Sequence, residues 1–370
     1  MEVLNFMNTH ENWEEILTQP PYSLKVKHDD GYVMLKYNQL NSDFSLQIVR
    51  EARGPIFYKN NDGRYICVCR AFDKFGNLGE SYVKDIDWNS VTVEEKVDGS
   101  LIKVWYHNGA YRVSTNGTIN AYKAEVYDAE LTFGDLFEEA LDGAAYATEF
   151  LYSLDPFETY MFELVSPKSR TTIFYPETKL YYLGQRNILT MQETKDYQTY
   201  MKDYGVLCPK EYPLQTLEEC LVYVKTMTKD EEGFVIKDKD FNRMKLKSPE
   251  YLLAFHMDNN GAITPKRIIN MMKNEQIDDF LAYCPQHSDA VKAVMQDITE
   301  IAISLEVLWT LVSLGPKLGR KEFAQHIQSH KDQDFLWAKY DNHELSAFDW
   351  IMLQYTRKIR RLMKSHKRKD

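Results

Sequence analysis

VEEKVDGSLIKVW (93–105) is the segment on which the reading of this 370-residue chain turns. One strand ends near Lys96, Asp98-Gly99 supplies a β-turn, and a second strand begins at Leu101. A plain structural turn is one sufficient account of the pattern. A chemical account is compatible with it, because a lysine becomes a nucleophile when its ammonium loses a proton near neutral pH, which burial or neighbouring cations promote. A tight turn directly after that lysine lets backbone amides and Ser100 approach a bound nucleotide closely.

On either side of this segment the chain alternates in the manner of strands. RYICVCRAF (64–72), SLIKVWYHNGAYRVST (100–115), TYMFELV (159–165), KLYYLGQRN (179–187) and GFVIKDKDFNRMKLK (233–247) each show β-branched or aromatic alternation. Asn108-Gly109 divides one of these runs and predicts a hairpin. A helical stretch is expected over 124–151. After Ser248-Pro249 the spacing turns helical, as in 289–314 and 346–364, with Gly315-Pro316 as punctuation. A boundary near 248–255 therefore predicts two domains, 1–248 and 249–370, in an α+β chain: antiparallel sheets with flanking helices, then an all-helical part.

Composition narrows the function classes. Hydrophobic residues make up 44% of the chain and aromatics 13%, as in ordinary globular proteins. No apolar run is long enough to cross a bilayer, and the acidic start MEVLNFMNTHENWEE does not resemble a secretory signal, so no membrane role is expected. Five cysteines without CxxC or Cys/His ligand spacing argue against a disulfide framework or a zinc site and fit a reducing cytosol. The net charge of −10 is unevenly spread: residues 249–370 hold 17 Lys/Arg against 16 Asp/Glu, so the acid excess lies before them. An acidic body can still bind RNA through local basic grooves. Residues 357–370 carry eight basic side chains, which read either as contacts to RNA phosphates or as a solvated helix end.

KVDGS (96–100) resembles motif I of the covalent nucleotidyltransferases, the superfamily of RNA ligases, DNA ligases and mRNA capping enzymes. Further motifs follow in the superfamily's order. MFELVSP (161–167) resembles motif III, YYLGQRN (181–187) strand IIIa, EEGFVIK (231–237) motif IV and MKLKSPEY (244–251) motif V. Upstream, EARGPIF (51–57), FDKFGNLGE (72–80) and KYNQLNSDF (36–44) narrow the resemblance to the RNA ligase 1 family of phage-type enzymes. Gly76 stands where that family usually has a second Phe. The helical continuation after motif V also favours this family over relatives that continue into an OB-fold.

The resemblance implies an adenylyltransferase domain over 1–248 in which Lys96 carries AMP as a covalent phosphoramidate, with ATP and Mg²⁺ required. Arg53, Lys74, Lys245 and Lys247 would neutralise the triphosphate, and Lys96 and Gly99 would border it. Glu163 and Glu232 would hold Mg²⁺ directly or through water. Asp98 would assist deprotonation of Lys96 or orient metal-bound water. Tyr37 is a candidate near the nucleotide or RNA end, or else a half-buried strand tyrosine. Asn116-Gly117 in STNGTI (114–119) either contacts ribose or RNA backbone or is only a turn. The implied substrate is RNA with 3′-hydroxyl and 5′-phosphate ends, nicked tRNA among the expectations, with an end-healing kinase/phosphatase as partner. A cytoplasmic monomer in a bacterial cell or phage-infected host is expected. A DNA ligase, a GTP-using guanylyltransferase and a catalytically silent RNA-binding module remain alternatives.

Overall fold

Among the described residues, thirteen strands and their turns form in the first two thirds of the chain, and helices take over after them. The computed structural model describes residues 1–39, 41–126, 131–169, 172–195, 199–252, 263–273, 276–277, 280–281, 284–314, 318–343, 345–354 and 356–366. The chain divides into two units, Met1–Gly261 and Ala262–Asp370. Inside the motif V segment, Ser248 is tied back to the residues just before Gly233. The Ser248 amide donates to the Glu232 carbonyl at 2.8 Å, and its Oγ donates to the Glu231 carbonyl at 2.9 Å.

Three antiparallel sheets build the first unit. The first runs in the order β1 (Lys25–Asp29), β2 (Tyr32–Lys36), β3 (Arg53–Lys59), β4 (Tyr65–Cys69). The second has the order β10-β9-β8-β6-β7, from β6 (Ser100–His107), β7 (Ala110–Thr115), β8 (Glu158–Val165), β9 (Lys179–Asn187) and β10 (Glu193–Thr194). The third has the order β11-β5-β12-β13, from β5 (Thr92–Glu95), β11 (Glu211–Tyr212), β12 (Gly233–Lys237) and β13 (Arg243–Lys247). Each run expected as strand from its alternation is a strand or hairpin here, and β6 and β7 meet at Asn108-Gly109 with His107 opposite Ala110.

Burial explains the layering. One face of β6 and β8 (Ile102, Val104, Phe162, Leu164) packs on the helices Phe133–Ala140 and Ala144–Ser153 through Leu136, Phe137 and Phe150. Each such fully buried large side chain contributes about 1.5–3 kcal/mol. The opposite face (Leu101, Met161) meets Ala71 and Phe72 after β4. The single helical stretch expected over 124–151 is broken, because Asp142 and Gly143 adopt φ of 59° and 112° between the two helices. Residues 127–130 of that expectation lie outside the described residues.

In the second unit, Ser288–Val312 is one helix whose buried Val291, Val294, Ile298, Ile301 and Leu305 follow the 3.6-residue period. The stretch expected over 346–364 contains two helices, Ala347–Leu353 and Thr356–His366. In the latter, Arg357, Arg360, Arg361 and Lys364 are exposed while Ile359 and Met363 are buried. Gly315-Pro316 and residues 367–370 lie outside the described residues. Among the described residues no helix is long and apolar enough to cross a membrane.

Candidate active site

Lys96 leaves the end of β5 exactly one rung from β12: its amide donates to the Gly233 carbonyl at 2.9 Å, continuing the ladder in which Glu95 faces Phe234. This rung sets motif I beside motif IV, although 136 residues separate Lys96 from Glu232. Lys96 Nζ lies 2.8 Å from Glu232 Oε2, and Lys247 Nζ lies 3.0 Å from Glu232 Oε1. Both oxygens of a carboxylate only 3% exposed are thus ion-paired. Such a buried arrangement stands only when all of its members are present.

The alternation of β13 places Arg243, Lys245 and Lys247 on one face, with Lys245 opposite Val235 and Lys247 opposite Gly233. Lys245 Nζ lies 5.4 Å from the Phe75 ring centre and Lys247 Nζ 5.5 Å from that of Tyr251. The chain after β4 lies along this edge: the Lys245 amide donates to the Gly76 carbonyl, and the Leu78 amide to the Lys245 carbonyl, each at 2.9 Å.

The second sheet brings the other carboxyls. Glu163 on β8 lies opposite Leu101 of β6. Burial pushes its carboxyl up to about 7, against the pull of Lys96 and Arg53 and with the charges of Glu232 and Asp98 adding to the rise. Burial, and then the charge of Glu232, raises Asp98 to about 6. Asp98 Oδ2 accepts from the amides of Thr172 (2.9 Å) and Ile173 (3.0 Å), and the Asp98 amide donates to the Tyr175 hydroxyl at 3.1 Å. Its visible task is to fasten the β8–β9 connection to the motif I turn. Gly99 makes that approach possible, since a Cβ there would lie 2.5 Å from the Leu164 carbonyl oxygen and 2.9 Å from Glu163 Cγ.

Arg53 opens β3 with its guanidinium 4.4 Å from the Phe72 ring centre, and its Nη1 is buried without a hydrogen-bond partner. Lys74 and Tyr37, both buried, meet each other: Lys74 Nζ lies 5.4 Å from the Tyr37 ring centre and 5.3 Å from that of Phe44. Tyr37 follows β2 rather than lying within a strand.

Two groups were not singled out from the sequence. Tyr251, inside the motif V segment, is buried beside Lys247, and burial raises its hydroxyl pKa. Lys103 is fully buried in β6. The signal for Lys103 was present, because it shares a strand face with Leu101 and Trp105, where a lysine is out of place.

An orphaned guanidinium nitrogen, two lysines sharing one carboxylate and a closely approached turn suit a polyanion such as a nucleotide triphosphate. Among the described residues no group of three or more His, Cys, Asp or Glu side chains forms a metal cage. The Glu163 and Glu232 carboxyls are oxygen donors of the kind that suits Mg²⁺, which keeps several waters and takes phosphate oxygens along with one or two carboxylates.

The RNA ligase family model, of the phage RNA ligase 1 type, matches residues 51–251. The chain belongs to this family. The match contains Arg53, Lys74, Lys96, Asp98, Gly99, Glu163, Glu232, Lys245 and Lys247. A protein of Autographa californica nuclear polyhedrosis virus, named as a bifunctional polynucleotide kinase/RNA ligase, is 31% identical over 326 residues, covering 83% of this chain and 45% of its own length. This chain therefore spans less than half of that relative. An RNA ligase of Rhodothermus phage RM378 is 23% identical over 93% of this chain and 92% of its own. A solved archaeal ATP-dependent RNA ligase aligns over 78% of each chain with 14% identity and a TM-score of 0.42.

Proposed function

We propose that this family member is an ATP-dependent RNA ligase that joins 3′-hydroxyl and 5′-phosphate ends through AMP carried on Lys96. The observation that carries the reading is the Lys96–Glu232–Lys247 constellation at 2.8 and 3.0 Å, beside an Arg53 nitrogen that has no protein partner.

In the first step Lys96 Nζ, having given up a proton, attacks the α-phosphorus of ATP. A P–N bond forms, the bond to the β-phosphate oxygen breaks, and pyrophosphate leaves. An RNA 5′-phosphate oxygen then attacks the same phosphorus, the P–N bond breaks, and Lys96 Nζ takes up a proton and leaves as the free amine. Finally a 3′-hydroxyl attacks the 5′-phosphorus, its proton departs, and AMP is released. Arg53, Lys245 and Lys247 neutralise charge on the phosphates, with Lys74 supporting them beside Tyr37. Glu232 holds Lys96 Nζ in position, and Gly99 lets the turn close on the nucleotide. Asp98 orders the β8–β9 connection through Thr172 and Ile173. Glu163 and Glu232 would hold Mg²⁺, which supplies Lewis-acid polarisation of the phosphates.

The two-domain division at 248/249, with an adenylyltransferase part followed by a helical part, belongs to the same proposal. So does a monomer acting on broken RNA, nicked tRNA included, in the cytoplasm of a bacterial or phage-infected cell. The name of the baculovirus relative couples a polynucleotide kinase to a ligase. That supports an end-healing kinase/phosphatase working with this ligase.

The test is incubation with Mg²⁺ and α-labelled ATP or GTP, followed by denaturation. Label is expected from ATP alone, absent in Lys96→Ala and in Lys96→Arg, because a guanidinium stays protonated. Full adduct in Lys96→Arg would overturn the assignment of the nucleophile. No label in the folded wild type, shown by intact mass not to be adenylylated already, would favour a silent RNA-binding module. Label from GTP would favour a guanylyltransferase, and joining of DNA in preference to RNA a DNA ligase.

A further inference from the structure

Lys103 lies in the middle of β6, seven residues beyond Lys96, and is 0% exposed. Leu101 and Trp105, its neighbours on the same strand face, are also buried. A methionine would fill this space without an ammonium, whose removal from water is costly unless its hydrogens find acceptors. The side chain crosses from the second sheet to the first, where Nζ donates to the carbonyl of Gly54 in β3.

That carbonyl lies where the ladder of β3 is irregular. The pairing of β3 with β4 covers only Ile56 to Lys59, and the register of β3 with β2 shifts just before Arg53 meets Lys36. Gly54 has a φ of +76°, and a Cβ on it would stand 2.7 Å from the Asn116 carbonyl oxygen, 3.0 Å from Lys103 Nζ and 3.1 Å from Asn116 Oδ1. Lys103, Gly54 and the turn after β7 are therefore packed around one point, with no room for a side chain at residue 54. Arg53 directly precedes this point, held by Phe72 on one side and presenting its unpartnered Nη1. Burial lowers the pKa of Lys103, and the neighbouring Arg53 charge adds to that effect.

We propose that Lys103 is a positioning residue: by bonding the Gly54 carbonyl it fixes the backbone that aims the Arg53 guanidinium at the phosphates of the nucleotide, without touching the nucleotide itself. The inference rests on the ATP-dependent reading above and adds to it a residue no part of the mechanism uses.

The test is ATP–pyrophosphate exchange by the full chain, with the melting temperature recorded for every variant. Lys103→Met is expected to raise the KM for ATP about five- to tenfold and to leave kcat within about twofold, the scale of one lost hydrogen bond. Lys103→Gln, which keeps a donor, is expected to recover most of that loss. In an Arg53→Ala background Lys103→Met is expected to add less than about twofold, because both changes remove the same contact. A lower melting temperature with unchanged KM would overturn the proposal, as would the same factor in both backgrounds. Should Lys103→Met fail to fold, Lys103→Gln measured in the two backgrounds gives the same comparison. Wild type that exchanges ATP normally while the variants keep its KM would remove the positioning role alone. Wild type that exchanges nothing would remove the ligase reading and this inference with it.

Discussion

The third and second sheets bring opposite electrostatics to one cluster. On the third, Glu232 has an ammonium on each oxygen, Lys96 at 2.8 Å and Lys247 at 3.0 Å. On the second, Glu163 is governed more by burial than by cations, and its carboxyl is raised to about 7. One carboxylate is matched within the protein, and the other is held in a state that a cation bound from solution would relieve. Equivalent residue types thus do different work according to which strand delivers them.

Removing each in turn tests this contrast, because the two changes should move stability in opposite directions. Glu232→Gln has the largest expected effect. It strands two largely buried ammonium groups, so it should destabilise the fold by about 3 kcal/mol in denaturant titration. The rate of adduct formation should also drop about 100-fold or more, as for loss of a preorganised charged group. A variant of unchanged stability would show that the pairs contribute nothing to the fold.

Glu163→Gln comes next and carries the other sign. A carboxyl whose pKa is higher in the folded state binds its proton more tightly there, so stability is lost as pH rises from about 4 to about 7. The amide removes that loss. Glu163→Gln should therefore be more stable than wild type at pH 8, by at most about 3 kcal/mol, and equal to it near pH 4. Adduct formation should fall even so. Parallel stability curves for the two proteins across this range would break the contrast.

The smallest effect is expected beside the cluster. Lys74→Met should weaken ATP about fivefold by exchange kinetics, and Tyr37→Phe should change little, since the ring and not the hydroxyl meets Lys74. Equal losses in the two variants would mean that the tyrosine hydroxyl itself contacts substrate.

What could be read in the sequence followed from local rules. Alternation located β6, β8, β9, β12 and β13, Asn108-Gly109 located a turn, and the order of short motifs named Lys96, Glu163, Glu232, Lys245 and Lys247. Grouping thirteen strands into three sheets was not legible, because register between β5 and β12 is set by contacts far apart in sequence. The break at Asp142-Gly143 was missed because apolar spacing continues through it. The bonds of Asp98 to Thr172 and Ile173 were equally hidden, since a carboxylate bonding backbone amides leaves no mark on the sequence of its partners. Lys103 could have been found from its place between Leu101 and Trp105.

The rung from the Lys96 amide to the Gly233 carbonyl has a bearing on when the proposed nucleophile is set in place. Lys96 emerges from synthesis well before β12 and β13 do, and until they arrive it has neither the backbone partner nor the carboxylate that place it. A nascent or truncated chain ending before Glu232 therefore lacks both groups that place Lys96. The closing strands of the third sheet complete the placement of Lys96, so on the proposed reading its adenylylation would also report that this unit has folded.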